Sequence, residues 1–351
     1  MSLRFARQLL VLLIPVAALY LALQASQGQA TVLSRWSLPV ALPAAAAPNA
    51  LVGRAEPLVA EMQPAQPAPP AHEQLAAFNS GSALQESAAD GRVEYYRRAL
   101  PGGELAYFVA RLDERVHVEL INADGATPAS DETGDTIWAD RQQHLATVAE
   151  MAAAPYARRE GLELLGAMAF GFHGAVRTSN EGSVVINGVV HRVNAGRGAL
   201  CISPGLQATI GLFDAEALRG CQQAVGGGPV ILWQGKVANP AVAAPDDEFI
   251  PFNPLGEDFA QLDWRIKIYS GSYPKTAVCV GDLPDGRSFL VLANSSGVVG
   301  VELARALRDM GCTAALGGDD DTSTQATWRG RPLWGNQPRA VPDAIGVYLR
   351  P

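Results

Sequence analysis

Three consecutive carboxylates, Asp319-Asp320-Asp321, run directly into three hydroxyl residues, Thr322-Ser323-Thr324, after Gly317-Gly318. Adjacent carboxylates repel an anion unless a cation intervenes. Oxygen ligands of this kind suit Ca²⁺ or Mg²⁺, so Asp319, Asp320 and Asp321 form a candidate divalent-cation set. The other reading of such a loop is a solvated turn at a strand end. His173, in Phe170-Gly171-Phe172-His173-Gly174, is either a general base near neutral pH or a hydrogen-bonded loop histidine. Gly226-Gly227-Gly228-Pro229 lets the backbone turn tightly or approach a ligand. It is not a nucleotide phosphate loop, because the Gly-Lys-Ser/Thr ending is absent and a strand follows. Trp264, Tyr269, Tyr273, Trp328 and Trp334 flank these segments and are either core residues or platforms for sugar rings.

The elements that must position these groups lie between Pro274 and Gly330. A strand covers Thr276–Val280, a turn Pro284-Asp285-Gly286, and a second strand Ser288–Ala293. A helix over Val298–Met310 carries Val299, Leu303, Ala306, Leu307 and Met310 on one stripe, and Gly311 is placed to end it. A last short strand, Thr313–Leu316, empties into the aspartates. The turn makes the first two strands antiparallel, and a right-handed helical crossover makes the second and third parallel. The start of the first strand and the end of the last then share an edge. Lys275 is thereby brought toward Asp319 and Ser323, with His173 or its neighbours expected on the same cleft.

The same stretch resembles the phosphodiester glycosidase family. That family shows a P-R-T-A-x-G strand, an E-L-A-type helix and an A-L-N-L-D-G-G-G-S-S-T loop. Here Glu302-Leu303-Ala304 sits in the helix, Ala315-Leu316 precedes the loop, Asp319 falls on the family's aspartate and Ser323 on its first serine. Gly226–Lys236 resembles its G-G-P element, and Arg339–Tyr348 its closing strand. Lys275 stands where the family has arginine, Asn294-Ser295 where it has D-G, and Asp320, Asp321 and Thr322 where it has glycines. The resemblance runs from about Leu105 to Tyr348. It implies one α+β domain, with a mixed, largely antiparallel sheet and packed helices. It also implies hydrolysis of a glycosyl phosphodiester or related envelope glycoconjugate. Asp319 would then be the carboxylate at the sugar carbon and Lys275 the cation for phosphate, with His173 as the third catalytic candidate. Thr276, Ser323, Thr324, Gly227 and Gly228 would bind substrate, a glycan or sugar phosphate. The departures keep a second class open, a catalytically inactive relative that binds glycan or assists envelope assembly.

Upstream, Arg4 and Arg7 precede an apolar run from Leu9 to Leu23. Residues 1–30 read as a signal peptide or a membrane anchor, and residues 31–90 as a Pro/Ala-rich tether. The domain is expected over residues 91–351, in the periplasm or another extracytoplasmic space. Leu105–Ala110 and Val116–Ile121 read as a hairpin, and Ile137–Ala153 as a helix. Asn187-Gly188 is a two-residue hairpin signal. The 351 residues are 48% hydrophobic and 18% charged, enough for a sizeable core, and the net charge of −8 argues against a nucleic-acid partner. Cys201 and Cys221 are the favoured disulfide pair, while Cys279 and Cys312 are either a second pair or buried thiols. No cysteine or histidine spacing suggests zinc.

Overall fold

Along Ser288–Ser295 every side chain is buried, and successive residues serve opposite faces: Leu290 and Leu292 enter one core, Phe289, Val291 and Ala293 another. A strand with both faces covered reads as a continuous apolar run, which is the pattern here. The structure, a computed structural model, describes residues 81–123, 145–172, 182–334 and 338–351. All of them belong to one compact unit, Pro64–Pro351.

In chain order the strands begin with β1 (Ala83–Ala88), β2 (Val93–Leu100), β3 (Gly103–Arg111), β4 (Val116–Asn122), β5 (Glu163–Ala169), β6 (Val184–Ile186) and β7 (Val189–Arg192). They continue with β8 (Gly198–Ile202), β9 (Ala208–Leu212), β10 (Gln223–Gly226), β11 (Val230–Trp233), β12 (Lys236–Asn239) and β13 (Phe249–Pro251). The last are β14 (Lys275–Asp282), β15 (Ser288–Ser295), β16 (Ala314–Gly317), β17 (Ala326–Trp328), β18 (Arg331–Pro332) and β19 (Asp343–Leu349). Four helices are described: α1 (Val148–Ala153), α2 (Ala215–Leu218), α3 (Leu262–Ser270) and α4 (Gly300–Asp309).

The strands form three sheets. A nine-stranded sheet has the order β1-β2-β3-β15-β14-β16-β11-β12-β13, and two five-stranded sheets have the orders β7-β6-β10-β8-β9 and β18-β17-β5-β19-β4. Pairing is antiparallel except between β12 and β13. The fold is therefore α+β, and its sheets are largely antiparallel. The nine-stranded sheet is covered on one face by the two smaller sheets, through Phe108, Leu165, Leu200, Val278, Leu316 and Trp328. Its other face takes the stripe of α4, where Leu303 and Leu307 meet Ala277, Cys279 and Val291. The β18-β17-β5-β19-β4 sheet buries its outer face under α1, and the β7-β6-β10-β8-β9 sheet under α2.

Several expectations hold and several are corrected. β14 and β15 pair antiparallel over eight residues, and the Asn187-Gly188 turn joins β6 to β7. Both cysteine pairs form disulfides, Cys201–Cys221 and Cys279–Cys312. β3 and β4 are not a hairpin: β3 lies in the nine-stranded sheet and β4 beside β19. The link at Asp113 carries the chain from one layer to the other, and its carboxylate accepts the Arg115 N–H. Of the helix expected over Ile137–Ala153, residues 137–144 lie outside the described residues; the described part runs from Val148, where Thr147 caps it with a reciprocal Thr147–Glu150 box. Strand β1, which pairs with β2, lies upstream of Gly91, where the sequence placed the start of the domain. No helix among the described residues is long and apolar enough to cross a membrane. The apolar run at residues 9–23 lies outside the described residues.

The seam between α4 and the large sheet sets a stability expectation. Leu307 is fully buried there. Leu307→Ala should lower the unfolding free energy by about 2–5 kcal/mol, through lost apolar burial plus a cavity. Denaturant titration checks this; a change below about 0.5 kcal/mol would mean the helix does not carry that face.

Candidate active site

The register of the large sheet delivers the aspartate loop to the start of β14. Ala277 faces Gly317 across the β14–β16 pair. The pairing continues past the strand ends: Gly318 donates its N–H to Thr276 O at 2.9 Å, and Asp321 donates to Pro274 O at 3.0 Å. Lys275 therefore stands beside the loop, as the topological argument from sequence required. Asp319 is held from the opposite side, its N–H donating to Phe170 O at 2.8 Å. Asp321 takes a left-handed φ of 58°, which turns the chain into the short 3₁₀ segment Asp321–Ser323.

The three aspartates take separate surroundings. Asp319 accepts from the Arg339 guanidinium at 2.7 Å, and the Nε of the same Arg339 donates to Ser323 Oγ. Asp320, partly accessible but densely surrounded at its carboxyl, lines a cleft with Lys275, Thr276, Gly317, Gly318 and Arg265. Its carboxyl accepts the Thr276 backbone N–H. Burial, and then the Asp319 charge, push its pKa up to about 7 against the pull of Lys275 and Arg265. Lys275 is buried, and its Nζ donates to Gly271 O at 2.6 Å and Tyr273 O at 3.0 Å. Burial lowers its pKa to about 8, with Asp320 opposing. Among the described residues, no three His, Cys, Asp or Glu side chains gather so as to hold a metal ion.

The glycines form the wall behind this cleft. Gly228 donates to Gly317 O at 2.8 Å, and Gly317 donates to Pro229 O at 2.9 Å. A Cβ on Gly227 would come within 2.5 Å of Gly317 O, and one on Gly318 within 2.7 Å of the Phe170 ring and carbonyl. These positions need glycine because backbone meets backbone and ring at close range. Behind them, the buried Glu257 accepts N–H groups from Val230 at 2.7 Å and Gly198 at 2.9 Å, clasping two sheets together. Burial raises its pKa.

The other sequence candidates are divided. Thr276 Oγ1 accepts from Asn294 Nδ2 at 3.2 Å. Thr324 is buried and its Oγ1 has no partner among the described residues. His173 lies outside the described residues. Trp328 is fully buried and donates to Glu86, and Tyr269 donates its hydroxyl to Ala238 O, so both are structural. Trp264 is exposed, close to Lys267.

Sequence reading assigned no site role to Arg339 or Arg265. Arg339 is 20 residues from Asp319, and only its place in the family's closing segment hinted at it. Arg265 lies on α3, whose apolar residues make no stripe, so the helix itself left no sequence signal.

Comparisons with known proteins bear on the family and the fold. The phosphodiester glycosidase family matches residues 165–348. No functionally curated protein matches the chain. A hypothetical protein from Synechocystis superposes with a TM-score of 0.54 at 13% identity, over 76% of this chain and 64% of that one. The chain thus spans less than two thirds of that relative. The zebrafish N-acetylglucosamine-1-phosphodiester alpha-N-acetylglucosaminidase catalytic domain, auto-inhibited by its pro-peptide, superposes with a TM-score of 0.52 at 14% identity, over 76% of this chain and 88% of that one.

The Asp320–Lys275 pair sets a pH dependence of stability. Asp320 titrates higher folded than unfolded, so its contribution is present at low pH and lost as pH rises from about 4 to about 7. Lys275 titrates lower folded than unfolded, so stability recovers between about 8 and 10.5. The wild-type minus Asp320→Asn difference in unfolding free energy should therefore shift in favour of wild type as pH falls from 7 to 4. Chemical denaturation across that range checks it; a flat difference would place the Asp320 carboxyl in ordinary solvent.

Proposed function

The chain belongs to the phosphodiester glycosidase family, and we propose that it hydrolyses a glycosyl phosphodiester outside the cytoplasm, with Asp320 and Lys275 at the reacting centre. The observation that carries this reading is the cleft at the matched segment, where Asp320, Lys275 and Arg265 meet over a glycine wall. The zebrafish relative is named for an N-acetylglucosamine-1-phosphodiester, and that substrate class is carried to this chain as part of the proposal. In the reaction the bond between the sugar carbon and the phosphate oxygen breaks, and water supplies the new hydroxyl. A carboxyl that titrates near 7 is suited to give its proton to the departing phosphate oxygen. Asp319, ion-paired to Arg339, is the second carboxylate, acting at the sugar carbon or positioning the loop. Lys275 has three N–H donors and spends two on carbonyls, so one is left for phosphate. The two disulfides support the extracytoplasmic part of the reading, because such bonds persist in oxidising compartments.

A second reading rests on one observation: Asp319 already has a cation partner in Arg339. A carboxylate so occupied fits a relative that binds a glycan or sugar phosphate without turning it over.

A panel of glycosyl phosphodiesters, assayed for released reducing sugar, tests the proposal. Turnover should fall as pH rises through about 7. Asp320→Asn should remove that limb and cost at least roughly 100-fold in rate. Lys275→Met should weaken phosphodiester substrates more than neutral glycosides. Binding without turnover across the panel would select the second reading.

A further inference from the structure

We propose that Arg265 is the residue that receives the anionic group of the ligand, held ready by stacking on phenylalanine rings; this rests on the phosphodiester reading above. The guanidinium of Arg265 lies 3.9 Å from the centroid of the Phe172 ring and 5.9 Å from that of Phe259. Arg197 lies near the same two rings, 4.3 Å from Phe259 and 5.6 Å from Phe172. A guanidinium stacked on a ring is held by its face, while its N–H groups point outward in the plane. No hydrogen bond or ion pair within 4 Å engages the Arg265 guanidinium among the described residues, although it lines the cleft beside Lys275, Asp320 and Gly318.

The other cations there are wholly or partly committed. Arg339 is paired with Asp319, Lys275 donates to two carbonyls, and Arg197 donates to Gly227 O at 3.0 Å. Burial raises the pKa of Asp320 and of Glu257, the carboxyls whose charge acts on Arg265. Three cations, Arg197, Arg265 and Lys275, face these two carboxyls, in a chain whose net charge is −8. A planar, pre-oriented fork with open donors matches two oxygens of a phosphate in bidentate fashion. Lys275 supplies the point charge that arginine geometry does not.

Calorimetric titration of the full-length protein with inorganic phosphate, at low and moderate salt, tests the assignment. Wild type should bind, and Arg265→Gln should weaken binding roughly tenfold or more. Lys267→Gln removes the same charge from the exposed side of the same helix and should leave binding within about twofold after the salt effect is removed. Arg265→Lys keeps the charge but loses the planar fork, and should weaken binding several-fold. It also carries the test if Arg265→Gln does not fold. Equal binding by wild type and Arg265→Gln, equal losses in Arg265→Gln and Lys267→Gln, or no binding by wild type would each overturn the assignment. The two proposals fail separately. Hydrolysis of diesters unaffected by Arg265→Gln sinks this one alone. Arg265-dependent phosphate binding in a protein that hydrolyses no diester sinks the hydrolase reading alone.

Discussion

Strand β14 is hydrogen-bonded along both edges, to β15 over its whole length and to β16 over its middle, Ala277–Val280. That double pairing fixes where everything else can go. It sets the Gly317–Asp321 segment against Pro274 and Thr276, so the aspartate loop cannot slide without breaking sheet hydrogen bonds. It places Cys279 next to Ala315 and within reach of Cys312, which the disulfide then fastens. It also makes α4 cross one face, because β15 and β16 flank β14 and run the same way. A one-residue slip would exchange the Val278 and Cys279 faces and unseat both cores at once.

The strand–turn–strand–helix–strand order was legible because each part carries a local signal. Pro284-Asp285-Gly286 encodes a turn, and Leu303 and Leu307 a stripe. Gly311, with φ of 90°, marks the helix stop. The approach of Lys275 to the loop followed from topology alone. The partners of each carboxyl did not. Side-chain direction in a strand alternates and can be counted, but beyond Gly317 the chain leaves the strand, and Asp321 enters the left-handed region. Counting fails there, which is why Asp320 faces Lys275 while Asp319 turns to Arg339. The separation of β3 from β4 was hidden for a related reason. Both strands read as apolar runs with a short polar link, and only the sheet each one completes distinguishes a hairpin from a crossing between layers.

The electrostatics answer the objection raised by three adjacent acids. A run of like charges would repel a phosphate in water. In the folded chain Asp319 is matched by Arg339, and burial weakens the charge of Asp320. The cations Arg197, Arg265 and Lys275 arrive from other segments, far apart in sequence. The sign of the local field is thus a property of the fold, and the composition of the loop alone points the wrong way.

The glycine wall bears on how such a site changes over evolutionary time. At Gly227 and Gly318 any side chain collides with backbone or with Phe170, so the scaffold itself polices those positions. Asp320 and Asp321 stand where the family pattern has glycine, yet both are accommodated, one in the cleft and one in a left-handed turn. The loop therefore divides into a part answerable to architecture and a part open to drift. Chemistry can be rewritten in the second part while the first keeps the lineage recognisable.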